Sequence, residues 1–159
     1  MRELVRDLEA LKLKNVRTYI QSGNVIFDSA HRNASSLSNE ISRTIERRHG
    51  FGPRVLIISC NELQNAIDAN PFPDAISEPK SLHFFFLEKP PLTPNMKALD
   101  LAKTSTENYL LTDRVFYLHT PDGFAGSKLA STAERHLGIL ATARNYRTVA
   151  RIAEIAADI

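Results

Sequence analysis

Cysteine is almost missing from this 159-residue chain, where Cys60 stands alone. A single thiol excludes a disulfide within the chain and a Cys-rich metal site, and it fits a reducing cytosol. Long apolar runs are missing too. The longest, Leu82 to Leu87, holds a histidine and falls far short of the roughly 20 residues a bilayer span needs, so no membrane partner is expected. No charged-then-apolar opening segment suggests a secretory signal, and a cytoplasmic location is expected. Nor is either charge in large excess. Twenty Lys and Arg against 18 Asp and Glu leave a net charge of +2. Dedicated nucleic-acid binders carry a denser basic stripe, so nucleic acid is only weakly supported while phosphate-bearing small molecules stay open. The histidines at 31, 49, 83, 119 and 136 show no helical i, i+4 pair or acidic cluster, and neither a metal nor a cofactor is expected.

What is present is an alternation of helical and strand patterns. Leu4, Val5, Leu8 and Leu11 recur at helical spacing. Two β-prone runs between Val16 and Asp28 flank Ser22-Gly23-Asn24, a group suited to a tight hairpin turn. A second helix, about Ser36 to His49, stops at Gly50, and Val55 to Ser59 reads as a short strand. Ser59 and Glu62 form a capping box opening a helix that ends before Pro71. Leu82 to Leu87 is apolar enough for a strand covered on both faces. A helix starting near Asn95 follows, then a hairpin of Tyr109–Leu111 and Val115–His119 turning around Thr112-Asp113-Arg114. Ser131 and Glu134 suggest a second capping box for a helix closed by Gly138, and a last helix carries Tyr146, Val149, Ile152, Ala153 and Ala156 on one face.

The two hairpins resemble each other. Tyr19-Ile20 precedes Val25-Ile26-Phe27 just as Tyr109-Leu110 precedes Val115-Phe116-Tyr117, an offset of about 90 residues that signals duplication. The element order agrees: strand, helix, hairpin, helix in the second half is most of a βαββαβ pattern. The fold class expected is α+β, two ferredoxin-like halves in tandem, with residues 1–59 forming the first and 60–159 the second together with a terminal helix. Shifted back by the offset, the strand Leu82–Leu87 falls before Met1, so the first half lacks its opening strand. That strand is central in such a sheet, and its absence leaves backbone groups in need of a partner. A longer natural chain, another chain or a rearranged strand would fill the gap, which makes a homo-oligomer one expectation.

Four blocks are similar to the bacterial domain-of-unknown-function family 1697: Asn15 to Ser29, Ala69 to Pro73, Tyr117 to Leu129 and Thr142 to Val149. Members usually open with a strand and a Gly-rich loop ahead of the first helix, and this sequence lacks that segment. The resemblance implies fold; it implies no activity.

One cluster points to chemistry. Arg144 and Arg147 fall just before and within the first turn of the last helix, where the helix dipole disfavours cations by a few tenths to about 1 kcal/mol. An anion at that N-terminus would reverse the penalty, with Ser127, Lys128 and Asn145 adding donors. The competing explanation is structural: both arginines pair with acids or carbonyls, and the glycines of residues 122–128 only turn the chain. Those residues do not make a Walker loop, because Gly126 comes too early and Ser127 precedes Lys128. Cys60 opens a predicted helix without a neighbouring histidine, which suits a buried thiol better than a nucleophile. Arg43, Arg47 and Arg48 around Glu46 read as a solvated face, and His119 beside Asp122 as a hairpin-end hydrogen bond. Neither hairpin carries the RNP1 pattern of an RNA-binding sheet. The functional expectation is a binding module for a phosphate-bearing or other anionic ligand. The alternatives are an enzyme on an anionic substrate, with no acid or base identified, and a self-associating structural protein.

Overall fold

The computed structural model describes residues 1–21 and 23–159; Ser22, expected in the first turn, lies outside the described residues. The chain forms a mixed α/β structure with two small antiparallel sheets. It divides into two compact units, one of Met1–Gln64 with Arg151–Ile159 and the other of Asn65–Ala150. No helix among the described residues is long and apolar enough to cross a membrane.

The first unit opens with α1 (Arg2–Ala10), followed by the hairpin strands β1 (Lys14–Tyr19) and β2 (Asn24–Asp28) and by α2 (Ala34–His49). Asn33 caps α2 by accepting from the Ser36 amide at 2.9 Å, and Gly50 ends it in the left-handed conformation, φ 78°. Leu8, Leu13, Leu37, Ile41 and Ile45 make the core, and Val16, Val25, Phe27, Val55 and Ile57 pack against it. Among the described residues its sheet has β1 and β2 alone. Residues 55–59, expected as a strand, form no ladder among the described residues. Their composition is strongly β-prone, but a strand exists only where a second strand takes its hydrogen bonds.

A helix α3 (Cys60–Asp68) follows, with the expected capping box formed: the Ser59 amide donates to Glu62 Oε2 at 2.7 Å and the Glu62 amide to Ser59 Oγ at 3.1 Å. The second unit then runs β3 (Leu82–Leu87), α4 (Met96–Ala102), β4 (Asn108–Leu111), β5 (Val115–His119), α5 (Lys128–Leu137) and β6 (Ala141–Asn145), and α6 (Tyr146–Ala157) starts directly behind it. The sheet order is β4-β5-β3-β6. Each neighbour pair is antiparallel. β3 is paired on both sides and all its residues are buried, as its apolar run predicts. Phe85, Leu87, Phe116 and Leu118 face Leu99 of α4 and Leu129, Ala133 and Leu137 of α5. On the opposite face Phe84 meets Tyr117 edge-on, with ring centroids 4.8 Å apart, and the Tyr117 hydroxyl donates to the Ala66 carbonyl at 2.8 Å. That burial holds the phenol above its ordinary pKa.

Three features differ from what the sequence leads one to expect. β6 has no expected counterpart, because Ala-Thr-Ala-Arg-Asn has neither apolar alternation nor β-branched density. The Ser131–Glu134 box is not a cap: α5 starts a turn earlier on Ser127, whose Oγ accepts from the Ala130 amide at 3.0 Å, while Ser131 Oγ bonds back to Lys128 O. The offset of about 90 residues also misaligns the faces, since Val25 and Phe27 pack on the helix core whereas Val115 and Tyr117 point away from theirs. Strand side chains alternate with period two, so a slip of one residue between the hairpins reverses every face.

Candidate functional site

The expected anion-binding residues lie on or after β5 and β6, which finish at the same end of the four-stranded sheet. There Leu118 of β5 and Asn145 of β6 both lie opposite His83 of β3. With strands about 4.8 Å apart, β5 and β6 end roughly 10 Å from each other across β3. From one of these ends the chain turns into the loop leading to α5, from the other directly into α6. Phe124 of that loop stacks on His83, with ring centroids 3.7 Å apart, which ties the loop to this end of the sheet.

Both helix starts are built by side-chain caps. Ser127, itself buried, caps α5, and Asn145 Oδ1 accepts from the Thr148 amide at 2.9 Å at the start of α6. Each first turn lacks an acid and carries an exposed cation, Lys128 in α5 and Arg147 in α6. By contrast α1 and α3 place Glu3 and Glu62 at the corresponding positions, the arrangement the dipole favours.

Arg144 stands apart. The register sets it opposite Phe84 and sets Asn145 opposite His83, so the two neighbours occupy opposite faces of the sheet. Arg144 is half-buried, donates from Nη1 to the Ala143 carbonyl at 2.8 Å, and has its pKa lowered by that burial. The five candidate residues therefore separate, with Arg144 on the face opposite α5.

His83 is the feature sequence reasoning passed over. The residue is only 8% exposed, and its Nδ1 is buried with no hydrogen-bond partner among the described residues. Burial pushes its pKa down to about 4, so the imidazole is neutral at physiological pH. The signal was visible as one titratable residue inside an otherwise apolar strand.

Other candidates resolve differently. Asp122 accepts from Thr106 Oγ1, and the His119 ring lies by Phe72 with centroids 5.9 Å apart, so the expected hairpin-end pair is replaced by two separate contacts. Cys60 is exposed, not buried. Arg43, Glu46 and Arg47 do line the outer face of α2, around an open concavity of about 580 Å³ that also takes in Ser36, Asn39 and Glu40. Arg48 leaves that face. With His49 it holds Asp7 of α1, at 2.5 Å from Arg48 Nη1 and 2.7 Å from His49 Nε2. The His49 hydrogen bond lowers the Asp7 pKa most; burial opposes it and Arg48 adds to it. No group of three or more metal-ligating side chains occurs among the described residues.

Comparison with known proteins places the chain without naming an activity. The model of a family described as protein of unknown function (DUF1697) matches residues 1–117. That range holds the blocks Asn15–Ser29 and Ala69–Pro73, while the candidate anion residues lie beyond it. Among solved structures the chain is similar to conserved bacterial protein SP0830 from Streptococcus pneumoniae, at 18% identity and a TM-score of 0.67, covering 98% of this chain and 88% of that one. This likeness concerns fold alone. No curated protein matches.

Proposed function

The chain belongs to the DUF1697 family, and from that premise we propose that it is a cytoplasmic binding module for a phosphate-bearing or other anionic small molecule. The observation that carries this reading is that β5 and β6 end at the same end of the sheet and lead into two helices, each with an exposed cation and no acid in its first turn. Backbone N–H groups and helix dipoles favour an anion there, and Lys128 and Arg147 would add charge-assisted hydrogen bonds. Ser127 and Asn145 position the two helix starts, leaving the Asn145 amide as a donor. Arg144 has a lesser part because it lies on the other face.

The architecture in this proposal is two ferredoxin-like halves. In the second unit, the βαββαβ order with β3 between β5 and β6 supports that plan. In the first, the order helix, hairpin, helix, apolar segment supports the same plan from its first helix onward.

Thermal melts against phosphate, pyrophosphate, nucleotides and sugar phosphates test the binding site. A ligand at ~100 times its Kd stabilises by about 2.7 kcal/mol, a shift of several degrees for a chain of this size. The Lys128→Ala/Arg147→Ala variant is expected to lose the shift while Arg43→Ala keeps it. A shift that survives in the double variant, or none from any of these compounds, contradicts the proposal.

A further inference from the structure

We propose that His83 is a direct contact of the anionic ligand, with its Nδ1–H donating to a phosphate oxygen held at the starts of α5 and α6. The proposal rests on the anion-binding reading and adds to it a donor from the centre of the sheet.

Position is the first ground. His83 lies on β3, the strand between β5 and β6, and period two puts it on the same face as Phe85 and Leu87. The register sets Asn145 of β6 directly opposite, a pairing that brings Cβ atoms to about 4.5–5.5 Å, and Asn145 caps α6. On its other side His83 faces Leu118, and Phe124 stacks on its ring with planes 16° apart. The Phe124 carbonyl accepts at 3.1 Å from the amide of Ser127, the cap of α5. His83 is thus linked to the caps of both helices, to one by register and to the other through Phe124.

The second ground does not depend on the helix starts. Among the described residues, His83 Nδ1 is the buried side-chain nitrogen or oxygen left with no hydrogen-bond partner. A buried polar atom without a partner destabilises a fold, and the neighbouring positions of β3 avoid that cost with Leu82 and Phe84. The flanking side chains cannot relieve it. Leu118 and Phe124 have no polar atom, and Asn145 has its Oδ1 engaged by the Thr148 amide. What this place lacks is an acceptor, and a phosphate oxygen supplies one to Nδ1–H and to the Asn145 amide alike. Burial keeps the imidazole neutral, so one of its nitrogens carries a proton and the other none. Phe124 covers the ring in the free chain and belongs to the turn that opens α5. Binding therefore includes a shift of Phe124 away from His83.

The test titrates the full chain with pyrophosphate and follows the His83 ring by NMR. Its nitrogen signals should move saturably, and its ring protons should lose the ring-current shift of the Phe124 stack. His83→Phe keeps an aromatic ring against Phe124 and removes the nitrogen. It should weaken pyrophosphate binding about 10-fold or more, the usual loss for a hydrogen bond to a charged group, without lowering the Tm of the free chain. His83→Asn returns an amide near the Nδ1 position and should restore part of the affinity. Unchanged affinity in His83→Phe overturns the part given to His83. So do unmoved His83 signals in wild type at saturating pyrophosphate, a result that stands even where His83→Phe does not fold. In both cases binding that Lys128→Ala/Arg147→Ala abolishes leaves the anion reading intact. If wild type binds neither phosphate nor pyrophosphate, the anion reading fails and this inference with it.

Discussion

Residues 55–59 and residues 141–145 each follow a helix, α2 and α5, and their sequences promise the reverse of what they do. Val-Leu-Ile-Ile-Ser is among the most β-prone stretches of the chain and forms no ladder among the described residues. Ala-Thr-Ala-Arg-Asn has little strand propensity and forms β6. The difference is β3, which offers β6 a free edge along its whole length. Strand formation in this protein is thus decided by an available partner more than by composition, in line with the context dependence of β-propensity.

The largest effect that should separate the units is truncation at the centre of the complete sheet. Phe84→Ala removes a fully buried ring that touches Tyr117, Phe86 and Tyr146, and should cost about 3–5 kcal/mol in chemical denaturation. Leu56→Ala, in the segment without a ladder, should cost only about 1 kcal/mol. Equal costs would break the comparison.

The next test concerns how the first unit compensates for its small sheet. Asp7→Ala removes a buried carboxylate that joins α1 to the end of α2 through Arg48 and His49, and should destabilise by about 2 kcal/mol. The pH dependence has a defined sign. The Asp7 pKa is lowered in the fold, so its contribution is complete above the ordinary value of 3.8 and disappears as pH falls through the lower folded value. In the second unit, His83 is held neutral with a pKa of about 4 against an ordinary 6.5. Its contribution is complete above pH 6.5 and declines as pH falls from there towards 4. Denaturation midpoints of wild type and His83→Gln should converge as the pH is lowered through that window. A constant difference would place the imidazole's charge change elsewhere.

The smallest effect is at the hairpins. Lys12, Asn15 and Ile20, the non-glycine residues with positive φ among the described residues, all lie in the first unit. Ile20, β-branched at φ 51° and half-exposed, is the most strained of them. Ile20→Gly should raise stability by up to roughly 1 kcal/mol, read as a small rise in Tm. A loss instead would mean the turn depends on that side chain.

Much of this structure was legible where local chemistry decides the outcome. Asn95 caps a helix, Gly50 ends one, the Ser59–Glu62 box closes, and the Leu82–Leu87 run is covered on both faces. What escaped depends on distant neighbours. β6 exists because of β3, and Arg48 leaves the solvated face of α2 because Asp7 waits on α1. At the candidate site, Arg147 lies in the first turn of α6 as its spacing implies, and Arg144, expected just before that helix, belongs to β6, where period two turns it away from Asn145. His83 was visible in the sequence, but its neighbours Phe124 and Asn145 are brought to it by the fold alone.

The most direct measurement is residue-resolved hydrogen exchange on the free chain at low concentration. The amides of residues 141–145 bonded to β3 should exchange nearly as slowly as β3 itself, and those of residues 55–59 at least about 100-fold faster. Equally slow exchange in both segments would show that residues 55–59 already have a partner, and would contradict that expectation.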